Sequence, residues 1–347
     1  MIEAVDIRPY ALPLRRAWGS RRDTFTRRQG WLVRIRSDGL EGFGDCAPMP
    51  AAGTESPASA LDALSGMRGL AVGRPAHGLL AALDPLLAAA PAARFAIECA
   101  LLDLDSRRLG QPLRCLLDPH AQDTVAVNAM LGPLGSVSPA QAQSAREQGF
   151  GVLKIKLGLE PPDEECRCLQ ALVADLPPGV GLRLDANGAW GLGEARRLIA
   201  ALDDLPIESL EEPLREPTSA RLAGLQSLTS IPLARDESLA GLTVSDPAGL
   251  GVRRLVLKPA VLGGLERTFS LARRASAAGV QVVVTSLVES AAGLWPTVQL
   301  AAAIGSPLPH GLATADWLAE DLGLAPHVHS GWIELPATAG SGFLPYA

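Results

Sequence analysis

Short apolar runs that end in a charged or polar residue recur along most of the chain and alternate with stretches of helical periodicity. From residue 124 onward this pattern predicts repeated units of one buried strand followed by one helix. The ends of six successive predicted strands are Lys156, Asp185, Glu211, Asp236, Lys258 and Thr285. These ends lie 22 to 29 residues apart, the length of one β–α unit. Reactive side chains are therefore expected at one edge of a parallel sheet.

The first 120 residues follow a different pattern. Three strand-like runs open the chain and predict an antiparallel meander. They are Ile2–Pro13, Gln29–Arg36 and Gly39–Ala47, with an arginine-rich loop expected at Arg15–Arg28. Helical periodicity follows, so residues 1–120 are predicted to form an α+β domain. Two segments with Gly, Pro and charged residues, Trp18–Arg28 and Pro48–Glu55, are interpreted either as lids over a site or as solvated connections.

The number of β–α units decides the fold class. Seven or eight units with short buried strands favour a closed barrel over an open doubly wound sheet, and no GxGxxG turn follows a predicted strand. We predict an α/β fold, a (β/α)7β TIM-like barrel over residues 121–322, capped by the N-terminal α+β domain. Its first strand is expected at Val125–Ala129. Residues 323–347, with a brief strand at Gly331–Leu335, are expected to return to the cap.

Composition and charge narrow the class of partner. The chain has 347 residues, 48% of them hydrophobic, and can bury a large core. Its net charge is −6 and it carries no basic stripe, which argues against nucleic acid and anionic membranes as partners. The N-terminus lacks the basic and apolar regions of a signal peptide, and no run reaches the roughly 18 apolar residues of a membrane span. We expect a cytoplasmic protein with a small-molecule carboxylate substrate; a homo-oligomer is compatible with this composition.

Lysine is rare in this chain. Lys154, Lys156 and Lys258 are the only lysines among 31 basic residues, and all three fall at predicted strand ends. Arginine does not give up its proton in proteins, whereas a partly buried lysine can. Lysines retained at these positions therefore indicate proton transfer.

Three acids end three consecutive predicted strands: Asp185, Glu211 and Asp236. For one such acid, a helix cap or an ion pair with arginine is the simpler interpretation, but three at matching positions predict a shared cation. Oxygen-only ligands favour Mg²⁺, with Mn²⁺ as the alternative. Lys156 and Lys258 would flank the metal from opposite sides, and its charge would lower their pKa. Such a site suits removal of a proton next to a carboxylate and stabilisation of the enediolate.

Five short motifs resemble those of the enolase superfamily, of the muconate-lactonizing-enzyme type. They are Lys154-Ile155-Lys156, Asp185-Ala186-Asn187, Glu211-Glu212-Pro213, Asp236-Glu237-Ser238 and Lys258-Pro259. The resemblance covers essentially the whole chain. It implies that Asp185, Glu211 and Asp236 bind Mg²⁺ and that Lys156 and Lys258 are the acid/base pair.

Within that superfamily the chain is most similar to the o-succinylbenzoate synthase group. This resemblance rests on Leu182–Asn187, Val256–Pro259, Thr285–Ser290 and His310–Thr314. It implies dehydration of 2-succinyl-6-hydroxy-2,4-cyclohexadiene-1-carboxylate to 2-succinylbenzoate in menaquinone biosynthesis. Racemisation or epimerisation of N-acylamino acids or dipeptides and muconate-type cycloisomerisation are the alternatives. The epimerases' KCGG-like stretch after the sixth-strand lysine and their DxD near the eighth strand are not found at those positions here, and the racemases' GGM is not found on the seventh strand.

The resemblance also implies roles for individual residues. Lys156 would remove the proton α to the ring carboxylate and return it to the leaving hydroxyl, while Lys258 would stabilise the intermediate by its charge. The implied substrate-binding residues are Lys154, Arg183, Ser286 and Gly311, and the residues behind the metal ligands are Asn187 and Glu237. Arg183 would orient the base, and Ser286 and Gly311 would contact the succinyl end.

Two interpretations from other classes stay open at this point. A Schiff-base aldolase would use Lys258 as its nucleophile but would leave the three acids without a task. A non-catalytic barrel kept for interaction would be expected to have lost ligand residues, whereas every predicted ligand position here is filled.

Overall fold

The N-terminal part of the chain is a three-stranded antiparallel sheet covered by helices. The computed structural model describes residues 1–19 and 24–346. The elements of this part are β1 (Ile2–Gly19), β2 (Thr24–Ser37), β3 (Leu40–Cys46), α1 (Pro57–Ala71), α2 (Leu79–Leu87), α3 (Pro91–Leu109) and α4 (Leu113–Leu117). The sheet order is β1-β2-β3. Gly42 and Gly44 let β3 lie directly on α3, because a side chain at either position would overlap the backbone of that helix.

The hairpin of the cap is longer than the sequence predicts. The sequence predicts a loop over residues 15–28, but β1 continues to Gly19 and β2 begins at Thr24, with Trp18 paired to Phe25. The prediction of an arginine-rich loop is therefore wrong over most of that segment. Aromatic and β-branched residues on the two arms favour strand pairing over an irregular loop. Residues 20–23, which include part of the predicted lid, lie outside the described residues.

Seven parallel strands, each paired with the next in chain order, form the barrel sheet. They are β5 (Ala129–Pro133), β6 (Val152–Lys156), β7 (Gly181–Asp185), β8 (Ile207–Glu211), β9 (Leu233–Arg235), β10 (Arg254–Leu257) and β11 (Gln281–Val284). The helices between and after them are α5 (Pro139–Glu147), α6 (Pro162–Ala174), α7 (Leu192–Leu202), α8 (Ser219–Gln226), α9 (Pro259–Leu262), α10 (Leu265–Ala277) and α11 (Ala291–Ile304). The inner faces of the strands and the inner faces of the helices share one large apolar core.

Two residues close the barrel. His310 bridges to Val127 and Gly311 bridges to Thr285, both in parallel orientation. The backbone N–H of His310 donates to Ala126 O at 2.8 Å, and that of Gly311 donates to Val284 O at 2.9 Å. The predicted (β/α)7β barrel with an α+β cap is confirmed, and its last strand is reduced to this pair.

The first barrel strand lies later than predicted. The sequence predicts that strand at Val125–Ala129, but the segment is split. β4 (Thr124–Ala126) pairs with β13 (Trp332–Glu334), which in turn pairs with β12 (Val328–His329) in a separate antiparallel sheet. The barrel strand β5 starts only at Ala129. The apolar run therefore serves two sheets, which periodicity alone does not distinguish.

The C-terminal segment lies against the cap and α11. The ring of Phe343 packs edge-on against Phe43 of β3, with centroids 5.3 Å apart. The backbone N–H of Ser341 donates to Asp103 of α3 at 2.6 Å. On this basis we propose the same division into residues 1–120, 121–322 and 323–347. Within the described residues, no helix combines the length and the apolar character needed to cross a bilayer.

His310, at the barrel closure, gives a prediction for stability. Its Nδ1 accepts a hydrogen bond from the Val284 N–H at 2.9 Å, and burial together with the charge of Arg183 lowers its pKa from 6.5 to about 3. The folded protein keeps His310 neutral, whereas the unfolded chain protonates it below pH 6.5. The stabilisation by neutral His310 is therefore complete above pH 6.5 and is lost as the pH falls towards 3. Between pH 7.5 and 5 the loss should be about 2 kcal/mol.

The variant His310→Asn keeps an acceptor for the Val284 N–H but cannot titrate. We expect its free energy of unfolding, measured in urea, to fall by about 2 kcal/mol less than that of the wild type between pH 7.5 and 5. Groups that titrate in both proteins cancel in this comparison. Parallel pH profiles would contradict the assignment of a neutral His310 in the folded state.

Candidate active site

Three carboxylates meet at the carboxyl ends of the barrel strands. Asp185 ends β7 and is in register with Glu211, which ends β8; Asp236 directly follows β9. All three are buried, and one oxygen from each lies within 4.8 Å of the others. The three carboxylates thus lie close together, as the sequence predicts.

Two lysines are ion-paired with this triad. Lys154 Nζ lies 3.0 Å from Asp185 Oδ2 and also contacts Glu211 Oε2. Lys258 Nζ lies 2.6 Å from Asp236 Oδ1 and 3.9 Å from Glu237 Oε1. Although burial opposes it, these carboxylates raise the pKa of both lysines above the ordinary value of 10.5. Both side chains therefore supply positive charge.

Lys156 has different surroundings. It ends β6 beside Asp185 of β7, and its Nζ lies 5.2 Å from the centre of the Trp18 ring. Burial lowers the pKa of Lys156, with the charges of Lys154 and Lys258 acting in the same direction against that of Asp185. A lysine with a lowered pKa can accept a proton near neutral pH more readily than an exposed one.

The donor set of the triad fits a hard divalent cation. All three groups are carboxylates, and the lysines around them offset part of their charge. Mg²⁺ and Mn²⁺ prefer sites with oxygen ligands alone, whereas zinc sites usually include nitrogen or sulfur ligands. Asp185, Glu211 and Asp236 are thus the residues that would hold the ion.

The two residues predicted to support the ligands lie together next to them, and both also line the pocket. The backbone N–H of Asn187 donates to Asp185 Oδ1 at 3.1 Å, and its side-chain amide donates to Glu237 Oε1 at 3.0 Å. Asn187 adopts a left-handed conformation, with φ of 46°, which asparagine tolerates better than most residues. This turn links the end of β7 to the segment that carries Asp236.

Glu212 is a site residue to which sequence reasoning gave no role. Its Oε2 accepts hydrogen bonds from the backbone N–H groups of Asp236 at 2.8 Å and Ser238 at 2.9 Å. Its φ of 43° turns it away from the direction of Glu211, and burial raises its pKa to about 7. The sequence signal that could have indicated this role is the pair of adjacent glutamates before Pro213. Adjacent side chains of a strand point to opposite faces, so only one of the two acids can face the metal site.

Apolar side chains also line the pocket and are called its apolar wall below. The cap contributes residues from the hairpin and from the turn after β3, while the barrel contributes residues from β5 and from the loop after β11. They are Trp18, Phe25, Met49, Ala51, Ala52, Met130 and Leu287. Both segments predicted as lids thus contribute to the pocket, and Met130 was missed because β5 was placed too early.

The predicted substrate contacts fall into two groups. Lys154 and Ser286 line the pocket, although the Ser286 hydroxyl already contacts the Thr314 hydroxyl at 2.7 Å and accepts from the Val288 N–H. Arg183 and Gly311 are not among the residues that line the pocket, and their expected roles stay predictions.

Arg183 and Gly311 are instead parts of the barrel interior. Arg183 donates to Glu208, to Asn128 and to the carbonyl of Pro309. Gly311 packs so closely on Thr285 that a Cβ would lie 2.5 Å from its hydroxyl oxygen. Both residues thus contact neighbouring strands of the barrel, and Arg183 Nε also lies 3.9 Å from Glu211 Oε1 of the triad.

Comparison with known proteins identifies the family. Residues 138–345 match the family model for the enolase C-terminal domain-like fold. Residues 4–118 match the mandelate racemase / muconate lactonizing enzyme N-terminal domain. The chain belongs to the enolase superfamily. The buried triad and the flanking lysines are its candidate active site.

Relatives within this superfamily carry several names. An o-succinylbenzoate synthase of Enterobacter sp. (strain 638) is 30% identical over 301 residues, covering 85% of each chain. An N-succinylamino acid racemase of Thermus thermophilus is 30% identical and covers 98% of this chain and 94% of that protein. Among solved structures, the L-Ala-D/L-Glu epimerase from Bacillus subtilis superposes with a TM-score of 0.88 at 25% identity, covering 100% of this chain and 99% of that one.

Metal binding by the triad can be measured without substrate. When the free Mg²⁺ concentration is a hundred times the dissociation constant, binding should raise the free energy of unfolding of this protein by about 2.7 kcal/mol. We expect a rise of the melting temperature that EDTA reverses and that Asp236→Asn largely removes. Asp163→Asn, on the exposed first turn of α6, is the matched control. An equal rise in both variants would place the ion elsewhere.

Proposed function

We propose that this protein abstracts a proton α to a carboxylate with Lys156 as the base, and that its reaction is the o-succinylbenzoate synthase dehydration. The observation that carries the proposal is the asymmetry of the two flanking lysines. Lys156 Nζ faces the Trp18 ring, whereas Lys258 Nζ lies 2.6 Å from Asp236. This difference supports proton transfer by Lys156 and a contribution of charge by Lys258.

In this mechanism the substrate carboxylate lies at the triad. Lys156 takes the proton from the adjacent carbon, and the electron pair of that C–H bond becomes part of the enediolate. Lys156 then returns the proton to the departing hydroxyl, which leaves as water while the ring becomes aromatic. A divalent ion held by the triad would supply positive charge next to the substrate carboxylate. Lys154 and Lys258 would add positive charge around the same carboxylate.

Racemisation of an N-acylamino acid is the second candidate. Lys156 ends β6 and Lys258 follows β10, and these strands lie on either side of the three that carry the triad. This favours racemisation, because two lysines that face each other across a carbon can exchange its proton. The similarity to an N-succinylamino acid racemase over 98% of this chain adds support. Muconate-type cycloisomerisation is supported by a relative from Pseudomonas putida named muconate cycloisomerase 1, 30% identical over 273 residues. A Schiff-base aldolase would leave the three buried carboxylates unused.

The dehydration can be followed directly by ultraviolet absorbance. Purified protein with Mg²⁺ is mixed with 2-succinyl-6-hydroxy-2,4-cyclohexadiene-1-carboxylate, and the loss of diene absorbance is recorded as the ring aromatises. Rapid loss that EDTA abolishes supports the proposal. No change in a protein that binds Mg²⁺ contradicts the synthase assignment. Exchange of the α-proton in D₂O is then tested on N-succinylamino acids and dipeptides, and deuterium incorporation at the α-carbon is tested during lactonisation of muconate, which separates the other candidates.

A further inference from the structure

A buried arginine joins the cap to the barrel beside the pocket. Arg28 of β2 is 4% exposed. Its Nε donates to Leu287 O at 3.2 Å and its Nη1 donates to Pro48 O at 2.9 Å, while Nη2 donates to Ala47 O. All three nitrogens of one guanidinium are thus used, and they reach two loops that are far apart in sequence.

Both loops form the apolar wall of the pocket. Ala47 and Pro48 directly precede Met49, and Leu287 is itself part of the wall. The cap side carries Met49 and the following turn, and the barrel side carries Ser286 and Leu287. The position of one loop relative to the other therefore depends on the group that bonds to both.

The barrel loop has a strained backbone next to this contact. Val288 has φ of 60° and is fully buried, a conformation that is unfavourable for a β-branched residue. Such strain persists only where surrounding contacts hold it, and it is often found at functional sites. The Leu287 N–H donates to Glu289 at 2.7 Å, and the Val288 N–H donates to Ser286. Arg28 Nε donates to a further polar group of this turn, the Leu287 carbonyl.

The buried carboxyl groups near Arg28 lie in the same region, between the cap and the barrel. Asp45 of β3 accepts hydrogen bonds from the N–H and hydroxyl of Ser290 and from the hydroxyl of Tyr10. The positive charge of Arg28 acts on both Asp45 and Glu289, although burial raises the pKa of each carboxyl group. The guanidinium thus lies in a buried polar network between β3 and the start of α11, where its charge has partial compensation.

We propose that Arg28 is a positioning residue that fixes the apolar wall and so sets the affinity for the part of the substrate remote from the reacting carbon. The inference rests on the proposed function, in which the reacting carboxylate lies at the triad and the remaining group faces the wall. The contacts require a planar guanidinium whose three nitrogens all donate hydrogen bonds, whereas the side chain of a lysine has a single ammonium group. The effect should therefore appear in KM for substrates with a large remote group.

The first test needs no substrate. Hydrogen–deuterium exchange is compared for wild type, Arg28→Met, Arg28→Lys and Arg27→Met. Arg27 is the matched control, since it is exposed and donates to Ala11 O at 3.1 Å. We expect Arg28→Met to exchange at least tenfold faster at residues 47–54 and 285–290, with the barrel strands unchanged and Arg28→Lys intermediate. Unchanged exchange at both loops would overturn the proposal, whatever reaction the protein catalyses.

The second test separates positioning from general destabilisation. Kinetics are measured with the full cyclohexadiene substrate and with 6-hydroxy-2,4-cyclohexadiene-1-carboxylate, which lacks the succinyl group. Arg28→Met should raise KM for the full substrate roughly tenfold with kcat within threefold, and should leave kcat/KM for the truncated substrate unchanged. Equal losses with both substrates would show a merely structural role and refute the proposal. If the wild type does not dehydrate the full substrate, the proposed function fails, and the exchange data alone decide the role of Arg28.

Discussion

Replacing Lys156 with methionine is expected to lower kcat by roughly 10³-fold or more, because the reaction loses the group that accepts and returns the proton. Methionine is one atom shorter than lysine and similarly flexible, so it should still pack against the Trp18 ring that lies over Lys156. Lys156→Arg should lose nearly as much activity, since arginine keeps the charge but does not release its proton near neutral pH. The comparison of the two variants separates proton transfer from simple charge.

The control for this experiment is the metal site. Both Lys156 variants should keep the Mg²⁺-dependent rise in melting temperature, because Lys156 is not one of the three carboxylates that meet at the triad. Dehydration is measured by absorbance, and exchange of the substrate α-proton is measured by NMR in D₂O. If Lys156→Arg loses only a small part of its activity, or if exchange persists in Lys156→Met, the base is another residue.

The positions of the triad and the lysines could be predicted from the sequence because all of these residues lie at the ends of parallel barrel strands. Strands of a parallel barrel end at the same edge, so acids at the ends of consecutive strands meet there. The rarity of lysine added a second, independent signal at Lys154, Lys156 and Lys258. Neither argument requires knowledge of side-chain conformations, and both point to the site that the structure shows.

The apolar wall could not be predicted in the same way. Arg28 bonds to a carbonyl 259 residues away, and no local pattern in the sequence reports such a contact. The run at Val125–Ala129 looks like one strand but serves two sheets, so the contribution of Met130 was hidden. Periodicity describes which face of an element is buried, whereas the wall depends on how loops from the cap and the barrel pack together.

The role of Lys258 distinguishes dehydration from racemisation. In the dehydration it needs only its charge, which agrees with its position 2.6 Å from Asp236 Oδ1. Lys258→Met should then lower kcat by about 10²- to 10³-fold, as expected for the loss of one stabilising group. Lys258→Arg, which keeps the charge, should retain at least roughly tenfold more activity than Lys258→Met.

Racemisation predicts a different pattern for the same two variants. A racemase uses one lysine for each face of the carbon, so both Lys258 variants would lose exchange with one enantiomer of an N-succinylamino acid while Lys156 continues to exchange the other. Measuring α-proton exchange in D₂O with each enantiomer separately therefore tests the assignment without reference to dehydration. If Lys258→Arg is as inactive in dehydration as Lys258→Met and exchange becomes enantiomer-specific, Lys258 is a proton donor and the racemase proposal replaces the synthase. If Lys258→Arg retains dehydration, its charge is sufficient, because arginine provides no proton to transfer.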